Sequence, residues 1–416
     1  MRSYAVVRPV LFCAASCLIV SLSGPVILGQ DVGADVGGGA GIFRPKNPET
    51  KKRTTKPMTP VVKSSSRSTG RKTVTPPANT EDRVEELLER GNQDRDARKF
   101  SDAEQDYQSA LKLKPRDARA AYGLGNVFTD QQRWEDAETA YRNAVQWNPA
   151  DVDALVALSV VLVQPRTGAS NAKRFVDAEN AARKAVTIQP NNALAWDRLG
   201  VALQSRELFN SETEHAYRRA VELAPEFAVA YAHLARVLRR LGRTDEATPL
   251  YEHAISLGKD AATLNVIAES LQAEQLWDKS EPVLRRALEL DARNPTSLFL
   301  IGRMMAVRKR YAEAEGYLKT ATEVSPGAFQ PYNLLGSVYL ALNRYQDAER
   351  TYDRAVEVAS LGDKRQLAGV FGFEGVGDGY LHAKQNSDAI RVYQRGLELD
   401  PGNKQLEEKL SQAKSH

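Results

Sequence analysis

Apolar and polar residues over most of this chain follow the period of amphipathic helices. From Glu81 onward, apolar side chains recur at spacings of three and four residues, which places them along one stripe of each helix. The pattern itself returns about every 34 residues. It predicts nine repeats that start at positions 84, 118, 152, 193, 228, 261, 295, 329 and 370.

Each predicted repeat contains two helices. The first carries a large apolar residue followed by a small one, as in Leu335-Gly336, and the second carries a small, a large and a small residue, as in Ala348, Tyr352 and Ala355. Small residues let two helix axes approach closely, and a proline such as Pro149 ends the second helix. One hairpin cannot bury its outer stripe, so the repeats are expected to stack.

These residues resemble the tetratricopeptide repeat (TPR) family over about three quarters of the chain. The resemblance implies an all-α fold, a right-handed superhelical solenoid of about nine hairpins over residues 84–402 with a capping helix in residues 403–416. It also implies a concave surface lined by the first helices.

Three departures from the repeat pattern lead to further expectations. An insertion near residues 164–171 predicts a longer loop, and one at residues 360–366 predicts an extension of the last repeat's first helix, with Asp363 as a cap. Five glycines between residues 369 and 379 predict a weak, mobile helix.

The N-terminus contains the one long uncharged apolar run, from Pro9 to Gln30, which follows Arg2 and Arg8. It predicts an export signal over residues 1–29 or an uncleaved anchor. Cleavage after Gly29 or after Ala34 would satisfy the small-residue rule, and a lipoprotein signal ending at Cys17 is disfavoured because apolar residues continue beyond it. We expect a bacterial periplasmic, cell-surface or extracellular protein.

Residues 30–80 are rich in Pro, Thr, Ser and Lys and predict a disordered basic linker. Its ten basic residues could contact a membrane or cell-wall polymer, or the linker could be a solvated spacer. Residues 1–80 hold 12 basic and 3 acidic side chains, so residues 81–416 are mildly acidic. No nucleic-acid partner is therefore predicted.

No motif for catalysis was found in the sequence. The five histidines fall in separate repeats, and neither His-Glu-x-x-His, Gly-x-Ser-x-Gly nor a phosphate-binding loop occurs. We therefore predict a protein that is not an enzyme and has no catalytic residues, metal or cofactor.

The inward positions of the first helices give the candidate binding residues. The early repeats offer Glu85, Asn92, Asp96, Tyr122, Asn126 and Asp130. Asn92 and Asn126 resemble two positions of the family's carboxylate clamp, whose basic partners are absent here because Leu88 and Tyr122 occupy the matching positions. The predicted partner-binding residues lie mainly in the middle, where the face is basic: Arg198, His233, Arg236, Arg239, Arg240, Asn265, Arg303 and Asn333.

These arginines could hold a carboxylate, which predicts an acidic protein or peptide partner. Alternatively, they pair with neighbouring Glu and Asp. The function predicted from the sequence is an exported scaffold or adaptor that binds protein partners through its concave face. A structural or self-associating envelope protein, and a substrate-positioning subunit of an envelope enzyme or secretion complex, remain alternatives.

Overall fold

A computed structural model describes residues 46–51, 79–164 and 171–415. Within these ranges the chain forms twenty helices and no strand, which confirms the all-α prediction. The export signal, most of the linker and the predicted loop at residues 165–170 lie outside the described residues. No helix in the described ranges is both long and apolar enough to span a bilayer.

The chain divides into two compact units. Among the described residues, the first contains residues 46–51, 79–164 and 174–202, and the second contains residues 171–173 and 203–415. The first unit is built from α1 (Thr80–Asp96), α2 (Phe100–Leu113), α3 (Ala118–Asp130), α4 (Trp134–Trp147), α5 (Val152–Val163) and most of α6 (Asn171–Ile188) and α7 (Ala193–Ser205).

The second unit contains the remaining helices, which again follow one another in pairs. They are α8 (Ser211–Leu223), α9 (Ala228–Arg240), α10 (Thr244–Leu257), α11 (Ala261–Ala273), α12 (Trp277–Leu290), α13 (Pro295–Val307), α14 (Tyr311–Val324), α15 (Phe329–Ala341), α16 (Tyr345–Val358), α17 (Leu361–Leu367), α18 (Phe373–His382), α19 (Asn386–Leu399) and α20 (Lys404–Ser415).

Seven of the nine repeat starts read from the sequence coincide with the first residue of a helix, from α3 to α15. The first helix begins earlier, at Thr80, because the side chain of Asn79 accepts a hydrogen bond from the Asp82 N–H (2.9 Å) and caps it. The last repeat begins later, at Phe373. Capping by Asn79 therefore accounts for the early start of the first repeat.

Close contact between tyrosine and glycine forms the centre of several hairpins. Tyr352 and Tyr393 are fully buried, and a Cβ atom added at Gly336 or Gly377 would collide with their rings. Gly377 lies in α18, where the sequence predicted that glycines weaken the helix. At this position, glycine is required by packing as well.

The insertion at residues 360–366 does not extend the first helix of the last repeat, so that prediction is wrong. It forms the separate short helix α17, with Ser360 as the N-cap. The Asp363 N–H donates to Ser360 Oγ (3.2 Å), and the Ser360 N–H donates to Asp363 Oδ2 (3.3 Å), which completes a capping box. Gly372 then caps the start of α18 and separates the two helices.

Candidate peptide-binding groove

A short segment without helix or strand lies against the first helices of the first two hairpins. We call Lys46–Lys51 the docked segment, and we call the surface of α1 and α3 that it contacts the N-terminal groove. The groove is lined by Glu81, Glu85, Asn92, Arg95, Asp96 and Asn126. All of these residues belong to the first unit.

Two asparagines, one from each hairpin, bind the main chain of the docked segment. Asn126 Nδ2 donates to the carbonyl of Lys46 (2.8 Å), and Asn92 Nδ2 donates to the carbonyl of Pro48 (3.0 Å). The acceptors are two residues apart, which matches the side-chain period of an extended chain. Two asparagines that are 34 residues apart in the repeats thus bind two carbonyl groups that are two residues apart in the docked segment.

Buried tyrosines orient both amide groups. Tyr107 donates from its hydroxyl to Asn92 Oδ1 (2.7 Å), and Tyr141 donates to Asn126 Oδ1 (2.9 Å). Each oxygen is therefore occupied by a donor from the second helix of its own hairpin. Each NH₂ group is left facing the docked segment as a donor.

The Asn47 side chain is bound at both ends of its amide. Arg95 Nη1 donates to Asn47 Oδ1 (2.9 Å), and Asn47 Nδ2 donates to Asp96 Oδ2 (2.9 Å) and to the carbonyl of Asn92 (3.5 Å). Arg95 is only 1% exposed and also pairs with Asp130 (2.7 Å). A buried, fixed guanidinium is therefore aimed at the amide oxygen.

The rest of the docked segment is held by burial and by charge. Pro48 is buried, and the Lys51 N–H donates to Glu85 Oε2 (2.8 Å). Lys51 Nζ contacts Glu81 (3.3 Å), and Arg119 donates to the carbonyl of Glu49 (3.3 Å). The segment therefore contacts the groove through its main chain and through three side chains.

The ionic contacts also shift pKa values in this region. Hydrogen bonds from Lys114, and then from Lys51, lower the pKa of Glu81. Burial acts to lower the pKa of Arg95, but hydrogen bonds to Asp130 outweigh it and raise that pKa. Both groups therefore keep their charges at neutral pH.

The sequence identified much of this surface, but not its occupant. Glu85, Asn92, Asp96 and Asn126 contact the docked segment, whereas Tyr122 packs its ring against Tyr141 (5.9 Å between centroids). Arg95 was not named from the sequence, although it also lies on α1 and the repeat pattern could have indicated it. For Lys46–Lys51, the expectation of a disordered linker is replaced by an irregular segment that is bound to the groove.

Three of the predicted partner-binding arginines lie around one carboxylate. Arg236, Arg239 and Arg240 approach Glu274 with N–O distances of 3.4, 3.8 and 2.7 Å. Glu274 is the C-cap residue of α11 and is 9% exposed. This arrangement is the alternative in which arginines pair with neighbouring acids, and it leaves three positive charges around one negative charge.

The other predicted binding residues lie in separate contacts. Arg303 donates to Gln272 Oε1 (2.9 Å), and Asn265 donates to Asn294 Oδ1 (3.0 Å). Arg198 is buried and lies 3.1 Å from Asp197. His233 is also buried, and its ring packs against that of Tyr217 (5.2 Å between centroids). Asn333 is half-buried. Of the eight predicted residues, Arg198 belongs to the first unit and the other seven belong to the second.

Groups of three or more His, Cys, Asp or Glu side chains that could hold a metal ion are absent from residues 46–51, 79–164 and 171–415. The polar side chains described above bind peptide groups and one another.

Comparisons with known proteins agree with the helical repeats. Models of the tetratricopeptide repeat family match residues 88–152, 227–260, 266–331 and 308–361. The chain is 23% identical over 223 residues to protein O-mannosyl-transferase TMTC3 of Homo sapiens, covering 53% of this chain and 21% of that protein. It is 29% identical over 142 residues to the tetratricopeptide repeat domain-containing protein PYG7, chloroplastic, of Arabidopsis thaliana, covering 34% and 46%.

The matched regions span less than half the length of either relative. Among solved structures, the human IFIT1 dimer with m7Gppp-AAAA is similar at a TM-score of 0.46 and 14% identity, over 79% of each chain. The helix pairs, their spacing and the family matches lead to one conclusion: the chain belongs to the tetratricopeptide repeat family.

Proposed function

We propose that this protein is an exported, non-catalytic scaffold that holds extended segments of protein partners against the first helices of its repeats. TPR arrays serve as protein-interaction scaffolds, because stacked repeats present long surfaces made of neighbouring helices. The single observation that carries the proposal is the N-terminal groove, where Asn92 and Asn126 bind two carbonyl groups of the docked segment.

These contacts suit a peptide rather than a small molecule. Asn92 and Asn126 recognise main-chain carbonyls, which every peptide offers at the same spacing. The side chain at Asn47 adds selectivity through Arg95 and Asp96. Main-chain contacts thus provide general affinity, and one side-chain position provides specificity.

A role without catalysis is supported by the nature of the polar groups. In the groove they are fixed by tyrosine hydroxyls or ion pairs, as Asn92 and Asn126 are by Tyr107 and Tyr141. The human relative is named a transferase, but the matched region covers only 21% of its length.

The arginines near Glu274 support a second contact, with an acidic partner segment. Three guanidinium groups share one carboxylate, and Arg240 is 46% exposed.

Arg240→Glu should weaken capture of an acidic peptide, and the effect should diminish as salt increases. Arg350→Glu is the control because Arg350 is more exposed and lies 3.7 Å from Asp347; equal effects of the two variants would contradict a specific acidic site.

A peptide-display selection on the immobilised full chain tests the proposed function. Wild type, Asn47→Ala/Pro48→Ala and Asn92→Asp would be screened against one random library. Asn92→Asp retains an acceptor for Tyr107 but loses the donor to the bound carbonyl. We expect a family of peptides that is enriched on one of the first two chains and lost on Asn92→Asp. No enrichment, or enrichment unaffected by Asn92→Asp, would contradict the proposal.

A further inference from the structure

The N-terminal groove is filled by the protein's own chain. Resting on the function proposed above, we infer that Lys46–Lys51 is a built-in ligand that competes with partners. We further infer that the groove selects extended segments with an Asn-Pro pair and a basic residue shortly after it. Lys46–Lys51 carries this pattern as Lys-Asn-Pro-Glu-Thr-Lys.

Selectivity for asparagine follows from the two partners of its amide. Arg95 supplies a donor to the Asn47 oxygen, and Asp96 supplies an acceptor for its NH₂ group. An aspartate at this position would place a second carboxylate against Asp96 and remove the donor. A site built around specific hydrogen bonds rejects close analogues that cannot form them.

Proline next to asparagine adapts the segment to the groove. Pro48 has no N–H, so its burial leaves no donor unpaired, and its carbonyl is bound by Asn92. Proline also restricts the preceding residue, here Asn47, to fewer backbone conformations. An Asn-Pro segment therefore loses less conformational freedom when it binds.

Charge favours a basic segment in this groove. Glu81 contacts Lys51 Nζ, Glu85 accepts from the Lys51 N–H, and Asp96 accepts from Asn47. Arg95 is paired with Asp130, and Arg119 is paired with Glu85 and Asp117. This groove therefore suits a basic partner, in contrast to the arginines near Glu274.

Competition follows because the ligand is part of the same chain. An intramolecular ligand acts at a high effective concentration, so a partner must displace it. If the docked segment occupies the groove about nine-tenths of the time, the apparent affinity for a free peptide falls about tenfold. Substitutions in the docked segment should therefore increase binding of the same sequence supplied as a separate peptide.

Fluorescence anisotropy with a labelled peptide of residues 44–53 tests this inference on the full chain. We expect Asn47→Ala/Pro48→Ala to bind the peptide about tenfold more tightly than wild type. The matched control is Glu49→Gln, because the Glu49 side chain is exposed and the residue contacts the groove through its carbonyl. That control should behave like wild type.

Two further arms test recognition. Adding Asn92→Asp to Asn47→Ala/Pro48→Ala should abolish binding, with circular dichroism to verify that the helices are retained. A peptide carrying Asn47→Asp should bind at least tenfold more weakly than the native peptide, since it loses the donor to Asp96.

Equal affinity of wild type and Asn47→Ala/Pro48→Ala for the peptide would contradict the inference that the docked segment competes for the groove. No binding to either chain would overturn the assignment of Lys46–Lys51 as a ligand. The display selection separates these failures from failure of the proposed function. If unrelated peptides are enriched there and lost on Asn92→Asp, the groove binds peptides but not this one.

Discussion

At the scale of single residues, tyrosine hydroxyls determine which atoms of the groove asparagines face a peptide. Tyr107 and Tyr141 each bind the side-chain oxygen of an asparagine, while the NH₂ group binds a carbonyl of the docked segment. These hydrogen bonds join the tyrosines to the asparagines and not to the docked segment. They act as positioning residues.

Tyr107→Phe should therefore weaken peptide binding without removing any group that contacts the peptide. The loss of one orienting hydrogen bond is expected to cost about 0.5–1.5 kcal/mol, roughly a twofold to tenfold loss of affinity. Fluorescence anisotropy with the peptide of residues 44–53, in the Asn47→Ala/Pro48→Ala background, measures this loss of affinity. Tyr352→Phe is the control because that hydroxyl meets Ser337 instead (3.2 Å), and an equal loss in both variants would contradict the positioning role.

Gly336→Ala tests the contact between glycine and tyrosine inside a hairpin. The added Cβ would meet the buried ring of Tyr352, so we expect the free energy of unfolding to fall by about 1–3 kcal/mol. Gly316→Ala in α14 is the matched control, since no atom lies within 4 Å of its added Cβ. It should stabilise the helix by about 0.5–1 kcal/mol. Guanidinium unfolding followed by circular dichroism measures both, and destabilisation by Gly316→Ala would contradict this distinction.

At the scale of elements, ion pairs link successive second helices of the second unit. The arginine just before one helix reaches a glutamate on the previous second helix, as in Arg243 with Glu214 (2.7 Å), Arg310 with Glu281 (2.9 Å) and Arg344 with Glu315 (2.8 Å). The same arginines also pair with an acid three residues later. The repeat thus produces a ladder of charges as well as a core.

This ladder should make stability depend on pH. Hydrogen bonds from Arg285, and then from Arg310, lower the pKa of Glu281 below its usual value of 4.5. A carboxyl whose pKa is lowered by folding stabilises the protein above its unfolded pKa, and that contribution is lost as the pH falls through the folded pKa. Glu281→Gln should therefore lower the free energy of unfolding at pH 7 by an amount on the order of 0.5 kcal/mol. The difference from wild type should decline as the pH falls below 4.5.

Thermal unfolding of wild type and Glu281→Gln across this pH range measures the difference. Glu357→Gln is the control because Glu357 is 58% exposed and its ion pair is with Arg354 of the same helix. An effect of Glu281→Gln that does not decline at low pH would show that its cause is packing rather than charge.

Much of the helical pattern could be predicted from the sequence, because buried stripes and small residues recur at fixed positions. Two features could not. Glu274 lies at the end of α11, outside the inward positions assigned to the first helices, so its contact with three arginines left no periodic signal. Lys46–Lys51 has no periodicity of its own, and its groove partners lie 30 to 80 residues further along the chain.

At the scale of the whole molecule, the proposed export has a direct chemical consequence. The chain has two cysteines, Cys13 and Cys17, and both lie in the predicted export signal. Cleavage after Gly29 or after Ala34 would leave a mature protein that begins at Gln30 or Asp35 and has no thiol.

Intact mass and thiol titration of the protein recovered after export measure this outcome. We expect no titratable thiol and a mass that matches one of the two cleavage positions. Two thiols and the mass of the full chain would show that the segment is retained as an anchor.

The most direct test of the central claim, that the N-terminal groove holds an extended peptide, is photo-crosslinking from position 49. A benzophenone side chain there would replace Glu49, whose own side chain is exposed and whose carbonyl meets Arg119. Mixing light and heavy isotope-labelled chains separates links within one chain from links between chains. We expect links within one chain, to residues of α1 and α3. Links only to other helices, or only between two chains, would contradict the account.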